Sequence, residues 1–383
     1  MRIALFFSYS TSLQDWLNAG FICRELKPFY DLSLQNGYKF YLITYGDETD
    51  FNLDETYLKK YNIEVKPLKA FHGFQSIRNL CDIFSTLFKI DLVFSLQTTA
   101  LISALPVSFF FNKPLISRSG YDVFAFSRNS TSLFKKSVLR FLELFASLTA
   151  SAFIFATHAD SDSFLRRTNF MRSLKNKIFS KKLSTYILPN WVNTNLFTPS
   201  FSNNNILNKH QIDFFSIGRL EPQKNYLSLL SLLASTNYNT SLTIAGSGSQ
   251  FSALKNLSNE LSFDLTLLGK VEHSKLPDLI NQYHIYIQNS LIEGNPKSVL
   301  EAMSCGAIVM CRDSPGISQL IDSKQNGYLY NSYDFHIILS NILSNPNLKS
   351  LKDNARKNIV DNYNYLSYID SLHEILKSSF SRS

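Results

Sequence analysis

Two carboxylates eight residues apart, Glu293 and Glu301, bracket the stretch Gly294-Asn295-Pro296-Lys297-Ser298-Val299-Leu300, and upstream of them lies Gly218-Arg219-Leu220-Glu221-Pro222-Gln223-Lys224-Asn225. Arg219 offers a planar, bidentate cation and Lys224 a mobile point charge; together they suit a diphosphate if Gly218 lets the backbone turn tightly. The same residues also fit an exposed turn with solvated charges. Paired carboxylates that hydrolyse a sugar linkage face each other at about 5 to 9.5 Å, whereas eight helical residues rise about 12 Å. Glu293 and Glu301 therefore read better as acceptors for different hydroxyl groups of one elongated ligand. The blander reading is a charge at a helix N-terminus, helped by the dipole, followed by a surface helix residue. Two further glycine turns, Ala245-Gly246-Ser247-Gly248-Ser249 and Leu268-Gly269-Lys270-Val271, are each weak signals alone but fall in series with the first.

These loops need a scaffold that delivers them to one edge. Short apolar runs alternate with helical patterns along the whole chain, which predicts parallel sheets built from β-α-β units. Strands are expected near Arg2–Ser8, Lys39–Tyr45, Ile63–Lys66, Leu92–Ser95, Leu115–Ser117, Ala152–Phe155 and Thr185–Leu188. A second series falls near Phe214–Ile217, Leu242–Ala245, Leu265–Leu268, Ile285–Gln288, Ala307–Met310 and Gly327–Tyr330. Helices are expected notably over Gly20–Gln35, Gln75–Phe88, Thr131–Thr149, Asp160–Phe170 and, briefly, from Pro296 to a C-terminal Gly306. The polar stretch from Pro189 to His210 reads as the linker. In open parallel sheets, ligands sit beyond the carboxyl ends of the strands, where the glycine and charge motifs fall.

The 383 residues predict two or three domains, and 45% hydrophobic against 18% charged residues excludes wholesale disorder. Four cysteines with no C-x-x-C pair exclude a disulfide framework and make a reducing cytosol the default compartment; Cys305 and Cys311 read as buried thiols. The opening apolar run stops at Ser8 and reads as a strand, not a signal peptide, and no later run is long enough to span a membrane. The net charge of +8 falls entirely in residues 1–190, which hold 23 Lys and Arg against 15 Asp and Glu. Basic residues interleave with Phe and Leu between Arg128 and Leu142 and between Phe164 and Leu183, as on surfaces that lie on anionic lipid. Nucleic acid is disfavoured because no recognised motif accompanies the charge.

Set in this order, the motifs resemble those of the retaining, nucleotide-sugar-dependent glycosyltransferases of glycosyltransferase family 4, most closely over residues 185–330. Pro189-Asn190-Trp191-Val192-Asn193-Thr194-Asn195-Leu196-Phe197 is similar to the interdomain segment, Gly218-Arg219-Leu220 with Lys224 to the diphosphate site, and Glu293 with Glu301 to the E-x7-E signature. The resemblance implies an α/β GT-B fold, two Rossmann-like domains facing each other across a cleft. Residues 1–190 would bind acceptor, 191–350 would bind the nucleotide sugar, and helices in 351–383 would cross back to the first domain. It gives catalytic roles to Arg219, Lys224 and Glu293, and donor contacts to Gly20, Gly218, Val271, Gly294, Asn295, Pro296, Lys297 and Glu301. Arg118 and Asp122 become candidates for acceptor or sugar contact, with a structural ion pair the alternative for Arg118.

The implied partners are a nucleotide-diphosphate sugar and a saccharide or lipid-linked saccharide acceptor. The implied setting is cell-surface polysaccharide assembly (capsule, O-antigen or lipopolysaccharide) by a cytoplasmic enzyme, peripheral at the inner face of the plasma membrane. No cofactor or metal is expected: Asp160-Ser161-Asp162 sits at a helix start, where Asp is a common N-cap. The alternatives are a nucleotide-sugar epimerase of the same fold and a non-catalytic module that binds sugar nucleotides or a lipid surface. A dehydrogenase is disfavoured because no G-x-G-x-x-G follows the first strand.

Overall fold

A computed structural model of the chain describes residues 1–18, 22–53, 58, 62–68, 74–122, 124, 133–179, 183–200 and 211–381. Gly20 lies outside the described residues, as do 128–132 and 180–182 of the two basic segments. The chain divides into two compact units, one of residues 1–188 with 369–383, the other of residues 189–368. The helix Leu348–Asn362 belongs to the second unit, so the return to the first begins at Ile369 and not at 351.

In the first unit, seven strands form one sheet: β1 (Arg2–Phe6), β2 (Lys39–Thr44), β3 (Ile63–Pro67), β4 (Leu92–Ser95), β5 (Leu115–Ser119), β6 (Ala152–Phe155) and β7 (Ser184–Ile187). Their order is β3-β2-β1-β4-β5-β6-β7 and every pairing is parallel. The inner strands are buried along nearly their whole length, as expected when helices cover both faces of a sheet, which is why they read as continuous apolar runs. The expected helix over Gly20–Gln35 is instead Ile22–Glu25 followed by Lys27–Asn36, with Pro28 in the first turn of the latter, where its missing N–H costs nothing. The helix expected to end at Phe170 runs from His158 to Phe179. Its N-cap is Thr157, whose hydroxyl accepts the Asp160 N–H at 3.1 Å and donates to the Asp160 carboxylate at 2.8 Å, so Asp160 lies in the first turn and is not the cap.

The second unit has six parallel strands, β8 (Ile212–Ile217), β9 (Thr240–Ala245), β10 (Asp264–Gly269), β11 (Ile285–Gln288), β12 (Ile308–Arg312) and β13 (Tyr328–Tyr330), in the order β10-β9-β8-β11-β12-β13. Strand alternation sends neighbours to opposite faces. Phe215 joins Val299, Met303 and Ile359 in one core, while Phe214 joins Leu229, Leu242 and Tyr330 in the other. The order reverses between β8 and β11. A crevice at the carboxyl ends of those two strands is the position this topology opens to a ligand.

Candidate active site

The loop after β8 begins at Gly218, passes through a 3-10 turn Pro222–Lys224, and enters the helix Tyr226–Ala234 from Asn225, held at φ +56°. A Cβ at Gly218 would stand 2.8 Å from the Tyr226 Oη and 2.9 Å from the Lys224 Cε, so glycine leaves room for both side chains. From there Lys224 Nζ donates to Glu293 Oε1 at 2.7 Å, in the loop after β11. Both side chains are nearly buried, at 13% and 11% exposure, so this is a desolvated pair and not a casual surface contact. Further bonds lock the two loops together. Gln223 Nε2 donates to the Ile292 carbonyl at 2.8 Å, the Leu291 N–H donates to the Gln223 carbonyl at 2.9 Å, and Asn289 Nδ2 donates to the Asn225 carbonyl at 2.9 Å.

Glu293 has a second donor, Gln288 Nε2 at 3.1 Å, and Gln288 Oε1 is itself held by Ser298 Oγ and Tyr286 Oη, each at 3.0 Å. Burial pushes the Tyr286 and Tyr226 phenols well up, so both stay neutral donors beneath the site. Arg219 projects from the same turn as Lys224 but its side chain is exposed. Beside it the Glu221 carboxylate accepts Ser249 Oγ at 2.7 Å and Ser249 N at 3.0 Å, bonds that lower its pKa and pin the β8 loop to the β9 loop.

Those loops meet through glycine. A Cβ on Gly246 would fall 1.8 Å from the Gly218 carbonyl oxygen, and one on Gly316, at φ +84°, would fall 2.1 Å from the Glu293 carbonyl. Gly316, after β12, escaped the sequence reading because nothing in its flanks marks the backbone that closes over it.

Glu301 sits within the helix Lys297–Ser304, buried, and its Oε1 lies 2.8 Å from His273 Nε2. His273 follows the β10 turn through Gly269 and Val271, and its ring packs on Phe197 at 5.1 Å. His273 carries no motif of its own in the sequence; the available signal was that it trails a strand-ending glycine. Val271 is half-buried against the core at this edge. The helix end is fixed by Arg356, which donates to the Ser304 carbonyl at 2.6 Å and the Thr194 carbonyl at 2.8 Å, and Gly306 at φ +66° completes the cap. Burial, then the Glu301 charge, pushes the Cys305 thiol up to about 12, which leaves it unreactive.

The remaining expected donor residues lie between the carboxylates, in the loop and at the start of the helix. Gly294 and Asn295 are buried, and Asn295 is bonded to Asn190 twice, through Oδ1 at 2.9 Å and its carbonyl at 2.6 Å. Pro296 occupies the N-cap, one position before the first helical turn where it was expected. Lys297 carries its ammonium 5.9 Å above the Trp191 ring.

In the first unit, Arg118 Nη1 lies 3.6 Å from Glu25 Oε2, and Asp122 accepts Arg167 Nη1 at 2.7 Å. Arg167 also grips Glu143 at 2.7 Å and stacks 4.8 Å over Phe124, so the Asp122 carboxylate belongs to a largely buried ion network.

Residues 198–362 match the family model described as Glycosyl transferases group 1. Among curated proteins, the chain is 22% identical over 255 residues to the Escherichia coli UDP-Gal:alpha-D-GlcNAc-diphosphoundecaprenol alpha-1,3-galactosyltransferase, covering 63% of each chain. The chain thus spans just under two thirds of that relative. Among solved structures, Anabaena HepE in complex with UDP-glucose superimposes with a TM-score of 0.73 at 19% identity, covering 99% of this chain and all of that one. The lipopolysaccharide outer core galactosyltransferase WaaB superimposes with a TM-score of 0.68 at 18% identity and covers 99% of both. The fold is the GT-B fold of these glycosyltransferases.

Proposed function

We propose, from the match of residues 198–362 to the Glycosyl transferases group 1 model, that the protein moves a sugar, with retained configuration, from a nucleotide-diphosphate sugar to a lipid-carried saccharide in cell-surface polysaccharide assembly. The observation that carries this reading is the Lys224–Glu293 pair at the point where the strand order reverses. Breaking a sugar–diphosphate bond builds negative charge on the leaving oxygen and positive charge on the sugar ring. A fixed cation beside the phosphates and a carboxylate beside the sugar stabilise opposite ends of that charge separation.

In the resting state the two side chains neutralise each other. An incoming diphosphate gives Lys224 a second anion and draws on the exposed Arg219 as well, so Glu293 is released toward the sugar hydroxyls. Glu301, oriented by His273, would accept from the ribose hydroxyls. Configuration is retained when the acceptor attacks from the face the leaving group vacates, a route that requires no protein nucleophile. Lys224 and Arg219 supply the positive charge that a divalent ion supplies in other transferases, so chelator should leave turnover unchanged. The complexes of HepE with UDP and with UDP-glucose, and the UDP-Gal donor named for the Escherichia coli relative, support a UDP-sugar as donor. The undecaprenol-linked acceptor named for that relative supports an acceptor at a membrane's inner face.

The test is turnover of UDP-sugars with product analysis by NMR. The reading expects the donor's anomeric configuration in the product and a loss of roughly 10²-fold or more in Arg219→Ala and in Lys224→Ala. An inverted product, or turnover within threefold of wild type in both variants, would count against it.

A further inference from the structure

Helices on one flank of the first unit carry large apolar side chains on their outer surface. Helix Phe74–Lys89 exposes Phe84 and Phe88, the latter at 73%; helix Leu101–Phe110 exposes Phe109 and Phe110, the latter at 80%; helix Leu133–Thr149 exposes Phe141 at 65%. These rings fall in two contacting groups that meet at the chain neighbours Phe110 and Phe111. Phe84 and Phe88 each meet Phe111, at 6.2 and 6.3 Å between centroids, Phe109 meets Phe110 at 5.8 Å and Phe145 at 6.4 Å, and Phe145 stacks on Phe141 at 6.1 Å. Phe111 and Phe145 are half-buried against the main core of the unit, so the ridge is seated on rigid structure. Single exposed apolar residues need no explanation, but a contiguous run of phenylalanines does.

The charges around the ridge are one-sided. Lys89 ends the first of these helices, Lys113 follows the second, and Lys135 and Lys136 lie in the first turn of the third, ahead of Phe141. The acidic residues of the same helices are already paired: Asp82, at the surface, with Lys66, and the buried Glu143 with Arg140 and Arg167. Lysine is depleted where proteins bind proteins, whereas phenylalanine bordered by lysine characterises elements that lie in a lipid headgroup layer. No helix among the described residues is long and apolar enough to cross a membrane, so the ridge fits a surface contact and not a span.

We propose that this phenylalanine ridge docks the protein on an anionic lipid bilayer, its exposed rings entering the headgroup layer while the bordering lysines meet lipid phosphates. The proposal deepens the reading of a lipid-carried acceptor, on which it rests for its purpose, by naming the surface that brings the chain to that acceptor.

The experiment is co-sedimentation of the full chain with vesicles of phosphatidylcholine alone or mixed with phosphatidylglycerol, with hydrolysis of soluble UDP-glucose followed in parallel. Binding is expected on the mixed vesicles and reduced by salt. Phe88→Ser with Phe110→Ser should weaken it by roughly tenfold per ring removed. Lys89→Gln with Lys135→Gln should weaken it by roughly fivefold per charge, on the anionic vesicles only. All variants should keep the wild-type hydrolysis rate, which shows that they are folded. Absence of wild-type binding would overturn the proposal, as would binding that ignores the phenylalanine changes. Dimerisation abolished by Phe110→Ser, with no vesicle binding, would assign the ridge to a second copy instead. A wild type that binds vesicles but turns over no nucleotide sugar would contradict the proposed function and leave the docking surface standing.

Discussion

The two units repeat one architecture and furnish its reversal point differently. At the β8/β11 reversal a lysine and a glutamate from separate loops meet at 2.7 Å, and an exposed arginine stands in the same turn. At the β1/β4 reversal the helix Leu13–Asn18 follows β1, and its free N–H groups are satisfied from within. Leu13 N and Gln14 N donate to the Asp50 carboxylate at 3.0 and 3.2 Å, while Ser12 and Asp15 form a reciprocal capping box at 3.0 and 2.8 Å. Asp50 is fully buried and also accepts Thr44 Oγ1 at 2.6 Å; a Cβ on Gly46 would overlap it. A protein carboxylate thus occupies the seat where an anionic ligand would bind in such a sheet. The surroundings are hydroxyls, Ser8, Ser10 and Thr11, and the stacked pair Phe7 and Trp16 at 4.3 Å. The lesson is that topology opens a position at the reversal point and side chains decide its charge: cations stand at the loop ends of the second unit, whereas in the first a protein carboxylate already satisfies the helix N–H groups.

Three substitutions would break or sharpen this contrast, in descending order of effect. Asp50→Ala removes three accepted hydrogen bonds in a buried setting and should destabilise the protein by about 2–4 kcal/mol in denaturant unfolding, without altering nucleotide affinity. A change in nucleotide affinity at unchanged stability would mean that the first unit's reversal point also serves the donor. His273→Ala frees Glu301 from the ring nitrogen 2.8 Å away and should raise the donor KM by about tenfold with kcat nearly preserved, the mark of lost uniform binding. A fall in kcat at constant KM would move Glu301 into the chemical step.

The smallest effect concerns Asp160, near the Asp122 network. Burial raises its pKa; the Thr157 hydrogen bond opposes the shift and the Asp122 charge adds to it. An acid with a higher pKa folded than unfolded makes the native state the better proton binder, so its contribution worsens as pH rises through that folded pKa, and the penalty is complete at neutral pH. Asp160→Asn should therefore raise Tm by about 1–2 °C at neutral pH, discounted for the residue's partial exposure, and by nothing below the carboxylate range. A loss of Tm at neutral pH would show that the charge is structurally required.

Much of the scaffold was legible in the sequence because parallel strands buried on both faces leave unbroken apolar runs. All thirteen strands lie within about two residues of their expected ends, and β4, β6 and β11 coincide with them. Lys224 and Glu293 were also legible, since each lies in a loop marked by glycine and charge just past a strand. What the sequence does not display is pairing across distance. Nothing near Asp50 signals that it caps a helix 36 residues earlier, nor does Arg118 announce Glu25, because such contacts depend on how loops fold over the sheet. Asp122 offered a free carboxylate on paper and proves to be bound by Arg167 from a helix whose length was underestimated.

The central claim is that the β8/β11 reversal point holds a diphosphate through Lys224. Its most direct test is calorimetric titration of UDP into wild type, Lys224→Ala and Lys224→Gln, the last retaining a hydrogen-bond donor to Glu293. Kd should weaken by at least about tenfold in both variants, the scale of one lost charge-assisted hydrogen bond. Unchanged UDP affinity in two folded variants would contradict it.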